Sequence, residues 1–102
     1  MLALYIPCKD KEEAQRISMD LLKKKLIACS NIIPATSIYL WEGKIEESDE
    51  QIIIAKTLKE KYDAIEKEVA LLHSYDCPCI TALKIEKINK KYLDWLKKTI
   101  GD

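Results

Sequence analysis

The stretch "TSIYLWEGKIEESDEQIIIAKT", residues 36–57, limits what this chain can fold into more than any other part of it. It reads as a long hairpin with a polar tip around Glu46 to Glu50. In the first arm Ile38 and Leu40 share one face, and Tyr39 and Trp41 share the other. In the second arm Ile52 and Ile54 point one way, Ile53 and Ala55 the other. A strand with one wet face alternates apolar and polar residues, and neither arm does so. Both faces of this hairpin require cover.

The flanking sequence supplies cover for one face. "MLALYIPC" is a short apolar strand with Pro7 near its end. Asp10 and Glu13 then have capping-box spacing, and Ala14, Ile17, Ser18, Leu21 and Leu22 recur at helical spacing opposite Lys11, Glu12 and Lys23. "LIACSNII" follows as a second apolar segment, which Pro34 is expected to stop. After the hairpin, Thr57 and Glu60 repeat the cap spacing. Leu58, Tyr62, Ile65, Val69 and Leu72 step by four and three along a second helix. That helix runs out at His73 and Ser74, and Pro78 forbids its continuation. "CITALKIE" reads as the last strand, and Asn89 as the cap of a final helix bearing Tyr92, Leu93, Trp95 and Leu96.

Two βαβ-like units in succession predict an α+β, ferredoxin-like βαββαβ sandwich, with a long central hairpin and an extra C-terminal helix. At 102 residues it is one domain, 1–102. Two helices cover one face of a four-stranded antiparallel sheet, and the other face is left bare. Oligomerisation is the expected remedy, with sheets packed together and the last helix sealing an edge.

Charge narrows the function. Lysine plus arginine equals aspartate plus glutamate at 17 each, which argues against a phosphate-contacting nucleic-acid binder. Arg16 is the only arginine, so bidentate anion clamps are not the theme. No apolar run is long enough to span a bilayer. The N-terminus has neither a basic leader nor a small-residue cleavage site, so a cytoplasmic protein is expected. In that compartment Cys8, Cys29, Cys77 and Cys79 read as free thiols or ligands, not disulfides. Nucleophilic and phosphate-loop motifs are missing, and Gly43 and Gly101 are the only glycines, so no enzyme is expected.

Few residues carry chemistry. His73, the sole histidine, stands four residues before Cys77 at a helix end. It is either a helix-terminal residue favoured by the dipole or a ligand for copper or zinc. The spacing offers no second histidine and no C-x-x-C pair, so a tight four-ligand zinc site is not expected, and any site needs a remote cysteine or another subunit. Cys8, Cys29 and Cys79 read as packing residues, while Glu46, Glu47, Asp49 and Glu50 read as a solvated turn or a weak hard-cation site. Tyr39, Trp41, Tyr92 and Trp95 read as packing and interface anchors.

Five segments together resemble the CutA family of divalent-cation tolerance proteins: "KLIACSN", "YLWEGKIEESDE", "AKT", "LHSYDCP" and "NKKYLDWL". The resemblance implies a ferredoxin-like subunit in a cytoplasmic homotrimer with interwrapped hairpins, linked to tolerance of copper and other divalent metals. It places His73 and Cys29 at the family's metal-binding positions, and Lys56, Tyr75, Trp41 and Tyr92 at positions lining the cleft between subunits. It implies no required cofactor, only a copper or zinc ion bound modestly. Similarity to the PII signalling trimers suggests the alternative of a small-ligand sensor or a module that docks another protein. Cys77 and Cys79 depart from the family pattern.

Overall fold

The computed structural model, which describes residues 1–101, runs β1 (Leu2–Cys8), α1 (Lys11–Lys23), β2 (Cys29–Trp41), β3 (Lys44–Thr57), α2 (Tyr62–Leu72), β4 (Thr81–Lys84) and α3 (Lys90–Ile100). The four strands form one sheet in the order β2-β3-β1-β4, with every neighbouring pair antiparallel. This is the ferredoxin-like α+β arrangement expected from the repeated βαβ pattern.

Alternation divides the sheet into two faces. Leu4, Ile6 and Cys8 of β1 and Ile53 and Ala55 of β3 point to the helix side, where they pack with Ala14, Ile17 and Leu21 of α1 and Ile65 and Val69 of α2. The opposite side of β1 and β3 presents Ala3, Tyr5, Pro7, Ile52, Ile54 and Lys56. α3 does not seal a sheet edge. Its Leu96 and Ile100 pack with Met1, Ala28, Leu58 and Tyr92, so it lies across the end where β1 begins and β3 finishes.

Two helix boundaries follow from local chemistry. Asp10 caps α1, its carboxylate accepting from the Glu13 N–H at 2.8 Å. At the other end Leu26 N–H donates to the Leu21 carbonyl and Lys25 N–H to that of Leu22, the Schellman pattern, with Lys25 at φ 55° where glycine is more usual. α2 has no comparable cap. Thr57 belongs to β3 and its hydroxyl donates to the Leu26 carbonyl at 2.5 Å, while a single 3-10 turn, Lys59–Lys61, leads into the helix. Asn89 does occupy the cap position of α3, but its side chain makes no capping bond.

The hairpin differs from expectation in two ways. Its turn is at Glu42–Gly43, with φ of 51° and 77°, so the tight turn has positive φ at both central residues. The acidic run Glu46–Glu50 therefore lies within β3 and not at a tip. Second, Pro34 does not end a strand; it pairs with Gln51 in the middle of β2. β2 is an edge strand, where a missing N–H on the outward side leaves no ladder bond unmade. As a result β2 and β3 pair from Cys29↔Lys56 to Trp41↔Lys44, whereas β1 stops opposite Gln51. Residues 35–41 and 44–50 continue beyond the sheet as a two-stranded ribbon. Ile38, Tyr39, Leu40, Trp41 and Ile45 are all exposed on it, Leu40 and Ile45 at 75% and 77%.

Candidate functional site

The six residues singled out from sequence fall into two groups of three, at opposite ends of the sheet. His73 and Tyr75 stand at the end where β1 finishes, and Trp41, farther out on the ribbon, lines the same cavity as Tyr75. Cys29, Lys56 and Tyr92 stand where β1 begins. Cys29 pairs with Lys56, Lys56 pairs with Ala3, and Pro7, the backbone partner of His73, pairs with Ile52. Four strand residues separate Lys56 from Ile52, about 14 Å at the usual rise. Within one chain His73 and Cys29 therefore cannot share an ion.

The His73 end is built on backbone bonds. β4 reaches only Tyr5 of β1, so β1 has no strand neighbour on that side beyond it. Pro7 has no N–H to leave unpaired there, and its carbonyl accepts from His73 Nε2 at 2.8 Å. His73 caps the C-terminus of α2, its N–H bonded to the Val69 carbonyl. Its Nδ1 accepts the Tyr75 N–H at 3.1 Å, which makes the ring the neutral tautomer protonated on Nε2. The ring is thus held by two backbone groups, not by the helix dipole acting on a cation.

Glu13 completes this corner from α1. It is fully buried, Oε1 accepting from Lys9 N–H at 3.0 Å and Oε2 from Ser74 N–H at 2.8 Å. Burial by itself would raise its pKa, but the hydrogen bonds from Lys9 and Ser74 outweigh it and hold the carboxyl below its ordinary value. His73 Nδ1 lies 4.0 Å from Oε1. Cys8 adds a buried thiol, whose pKa burial pushes up to about 12, with the charges of Glu13, Glu50 and Asp10 adding to it. The ligand atoms of Cys8, Glu13 and His73 lie within 4.8 Å of one another, the one such group among the described residues. Imidazole, thiolate and carboxylate suit zinc and copper.

From this corner the chain crosses to the other face of the sheet. Tyr75 packs its ring on His73, centroids 4.7 Å apart, and its hydroxyl donates to Glu50 Oε2 at 2.7 Å. Burial, then the bond to Glu50, holds the Tyr75 phenol well above its ordinary value, so it stays a donor. A cavity of about 740 Å³ opens beside this pair, walled by Tyr5, Tyr39, Trp41, Glu50, Tyr75 and Asp76, with Cys77 and Cys79 also facing it. None of the described residues lining it is cationic.

The Cys29 end is built from side chains alone. Cys29 Sγ and the Tyr92 hydroxyl are 3.0 Å apart, and Lys56 Nζ stands 5.6 Å above the Tyr92 ring. The bond to Cys29, then burial, pushes the Tyr92 phenol up to about 12. Trp95 packs on Tyr92 at 5.3 Å. This end offers a thiol, an ammonium and an aromatic face.

The fold that carries these groups has solved counterparts. The model of the CutA1 divalent ion tolerance protein family matches residues 2–99. This chain belongs to that family. The solved structure of the periplasmic divalent cation tolerance protein CutA from Archaeoglobus fulgidus superposes with a TM-score of 0.95 at 46% identity, over 98% of this chain and 99% of that one. CutA1 from Pyrococcus horikoshii does so with a TM-score of 0.93 at 35% identity, over 97% of each chain. The chloroplastic protein CutA 1 of Oryza sativa subsp. japonica is 38% identical over 99 residues, 96% of this chain and 56% of its own length. These CutA relatives are named for cation tolerance or for the family, not as enzymes. No helix among the described residues is long and apolar enough to cross a membrane.

Two residues at the candidate centre escaped the sequence reading. Cys8 looked like packing and Glu13 like half of a capping box. The signal was present for Glu13. It stands four residues before Ile17 and eight before Leu21, on the buried stripe of α1 and not on its wet face.

Proposed function

We propose that this CutA-family chain works as a cytoplasmic homotrimer that takes up copper or zinc modestly, with His73 as a ligand. The observation that carries the reading is the buried group of Cys8, Glu13 and His73, three donors of the right chemistry already within 4.8 Å of one another. Weak uptake follows from the same geometry. An ion entering there must displace the Tyr75 N–H from Nδ1 or the Pro7 carbonyl from Nε2, and must release the Cys8 proton.

A trimer would also give Cys29 a role. A two-stranded ribbon carrying Ile38, Leu40, Trp41 and Ile45 exposed is marginal alone and needs a partner surface. In a trimer the Trp41 and Tyr75 wall of one subunit would face the Cys29, Lys56 and Tyr92 end of another, setting Cys29 against the wall behind which the neighbour's His73 is buried. The test is native mass spectrometry of reduced, metal-stripped protein titrated separately with copper(II) and zinc. Saturable uptake of one ion per chain is expected, and His73→Ala should weaken it while leaving the trimer intact. Unchanged affinity in that variant would overturn the assignment.

A PII-like ligand sensor is the second reading, favoured by the 740 Å³ cavity with its aromatic wall. Lys56 does not line that cavity within one chain, so an anionic ligand would require the neighbouring subunit's lysine. A metabolite screen by thermal shift would support this reading through saturable stabilisation.

A further inference from the structure

We infer that Cys77 and Cys79 form a separate soft-metal site at the cavity rim, taking a single copper(I) ion. Both thiols are free and exposed, and both face the 740 Å³ cavity beside Tyr75 and Glu50. The intervening Pro78 is what arranges them. A residue before proline is kept out of the helical region, so the chain bends at Cys77 instead of continuing α2, and Cys77 and Cys79 come to line the same cavity. The same spacing strains a disulfide between them, so under reducing conditions the pair persists as a dithiol. Cys79 Sγ has only the Thr81 hydroxyl at 3.0 Å as partner, and Cys77 has none among the described residues, so neither sulfur is committed to the fold.

The surroundings favour a cation. Asp76 and Glu50 supply two carboxylates to the lining, and no described residue there is positive. Glu50 gives one oxygen to Tyr75, and its Oε1 has no hydrogen-bond partner among the described residues. Soft thiolate donors select copper(I), for which two sulfurs suffice, whereas zinc would need two further ligands. On binding, each thiol gives its proton to solvent and its sulfur lone pair to the ion, with no change of oxidation state.

This site is distinct from the buried His73 group, where each donor already has a backbone partner. The experiment is an anaerobic titration of the reduced, metal-free protein with copper(I) against a chromophoric copper(I) chelator, following ultraviolet sulfur-to-copper charge transfer. One copper(I) per chain is expected. C77S and C79S should each weaken it by more than the roughly 10–100-fold that loss of a supporting hydrogen-bond partner costs a metal site. The double variant should lose the step and the absorption while keeping the wild-type circular dichroism and oligomeric state. Wild-type copper(I) uptake in C77S/C79S, or no uptake in the parent protein, would overturn the proposal. Loss of copper(II) and zinc binding in H73A alone bears on the His73 reading and leaves this one standing.

Discussion

The two ends of the sheet hold similar side chains on different supports. At the His73 end the side chains bond backbone: His73 to Pro7 and Tyr75, and Glu13 to Lys9 and Ser74. At the Cys29 end they bond one another: Cys29 to Tyr92, with Lys56 over the ring. A buried side chain that ties backbone groups of separate segments together is part of the fold, because removing it leaves those groups without their partner and unties the segments. A side chain that meets only another side chain can be lost at the cost of one modest contact. The His73 end is therefore structural before it is functional, and the Cys29 end is free to serve a partner.

Removing Glu13 attacks this contrast where it is strongest. Glu13→Ala removes a buried carboxylate that bonds the Lys9 and Ser74 N–H groups and unties α1 from the end of α2, a loss of about 3 kcal/mol. Chemical denaturation at fixed protein concentration measures it. A midpoint within error of the parent would show that the corner is not what ties α1 to α2. His73→Ala comes next, at about 2 kcal/mol, because two backbone groups lose their partner there. This cost also guards the metal assay, since a fall in metal uptake counts only if the variant is still folded and assembled. Tyr75→Phe removes one hydroxyl from the buried Glu50 carboxylate and should cost about 1 kcal/mol. It marks where the locked corner gives way to the open cavity, and equal losses for His73→Ala and Tyr75→Phe would erase that boundary.

Much of the fold was legible because it rests on periodicity. The apolar steps of α1 and α2 and the two βαβ-like units lead to the four-stranded sheet, and the two-sided hairpin signals an unfilled need for cover. The hairpin turn was misplaced because Glu46–Glu50 looks more like a loop than Glu42–Gly43 does. Glu46, Glu47 and Asp49 sit in β3 without penalty because they are exposed on the ribbon, while the buried Glu50 is bonded by the Tyr75 hydroxyl. Pro34 misled because a sequence does not say which strand is an edge. The site was less legible. Its grouping depends on where β1 stops and on β4 being only Thr81–Lys84, lengths that pattern alone does not fix. The half-formed trio of Cys8, Glu13 and His73 joins residues 65 positions apart, and only the burial of Glu13 on the apolar stripe of α1 hinted at it.

The smallest stability effects test how the ends are joined. Tyr92→Phe and Cys29→Ser should each shift the denaturation midpoint by only about 0.5 kcal/mol, since each loses one side-chain contact. Because His73 and Cys29 are about 14 Å or more apart in a chain, Cys29→Ser can lower metal uptake only through a neighbouring subunit. Subunit mixing separates the cases. His73→Ala and Cys29→Ser chains, denatured together and refolded, form assemblies in which some interfaces pair an intact His73 with an intact Cys29. If the residues meet across an interface, the mixture regains metal uptake that neither variant has alone. If uptake in the mixture is only the average of the two, Cys29 is no ligand, and the buried Cys8, Glu13 and His73 of a single chain must hold the ion themselves.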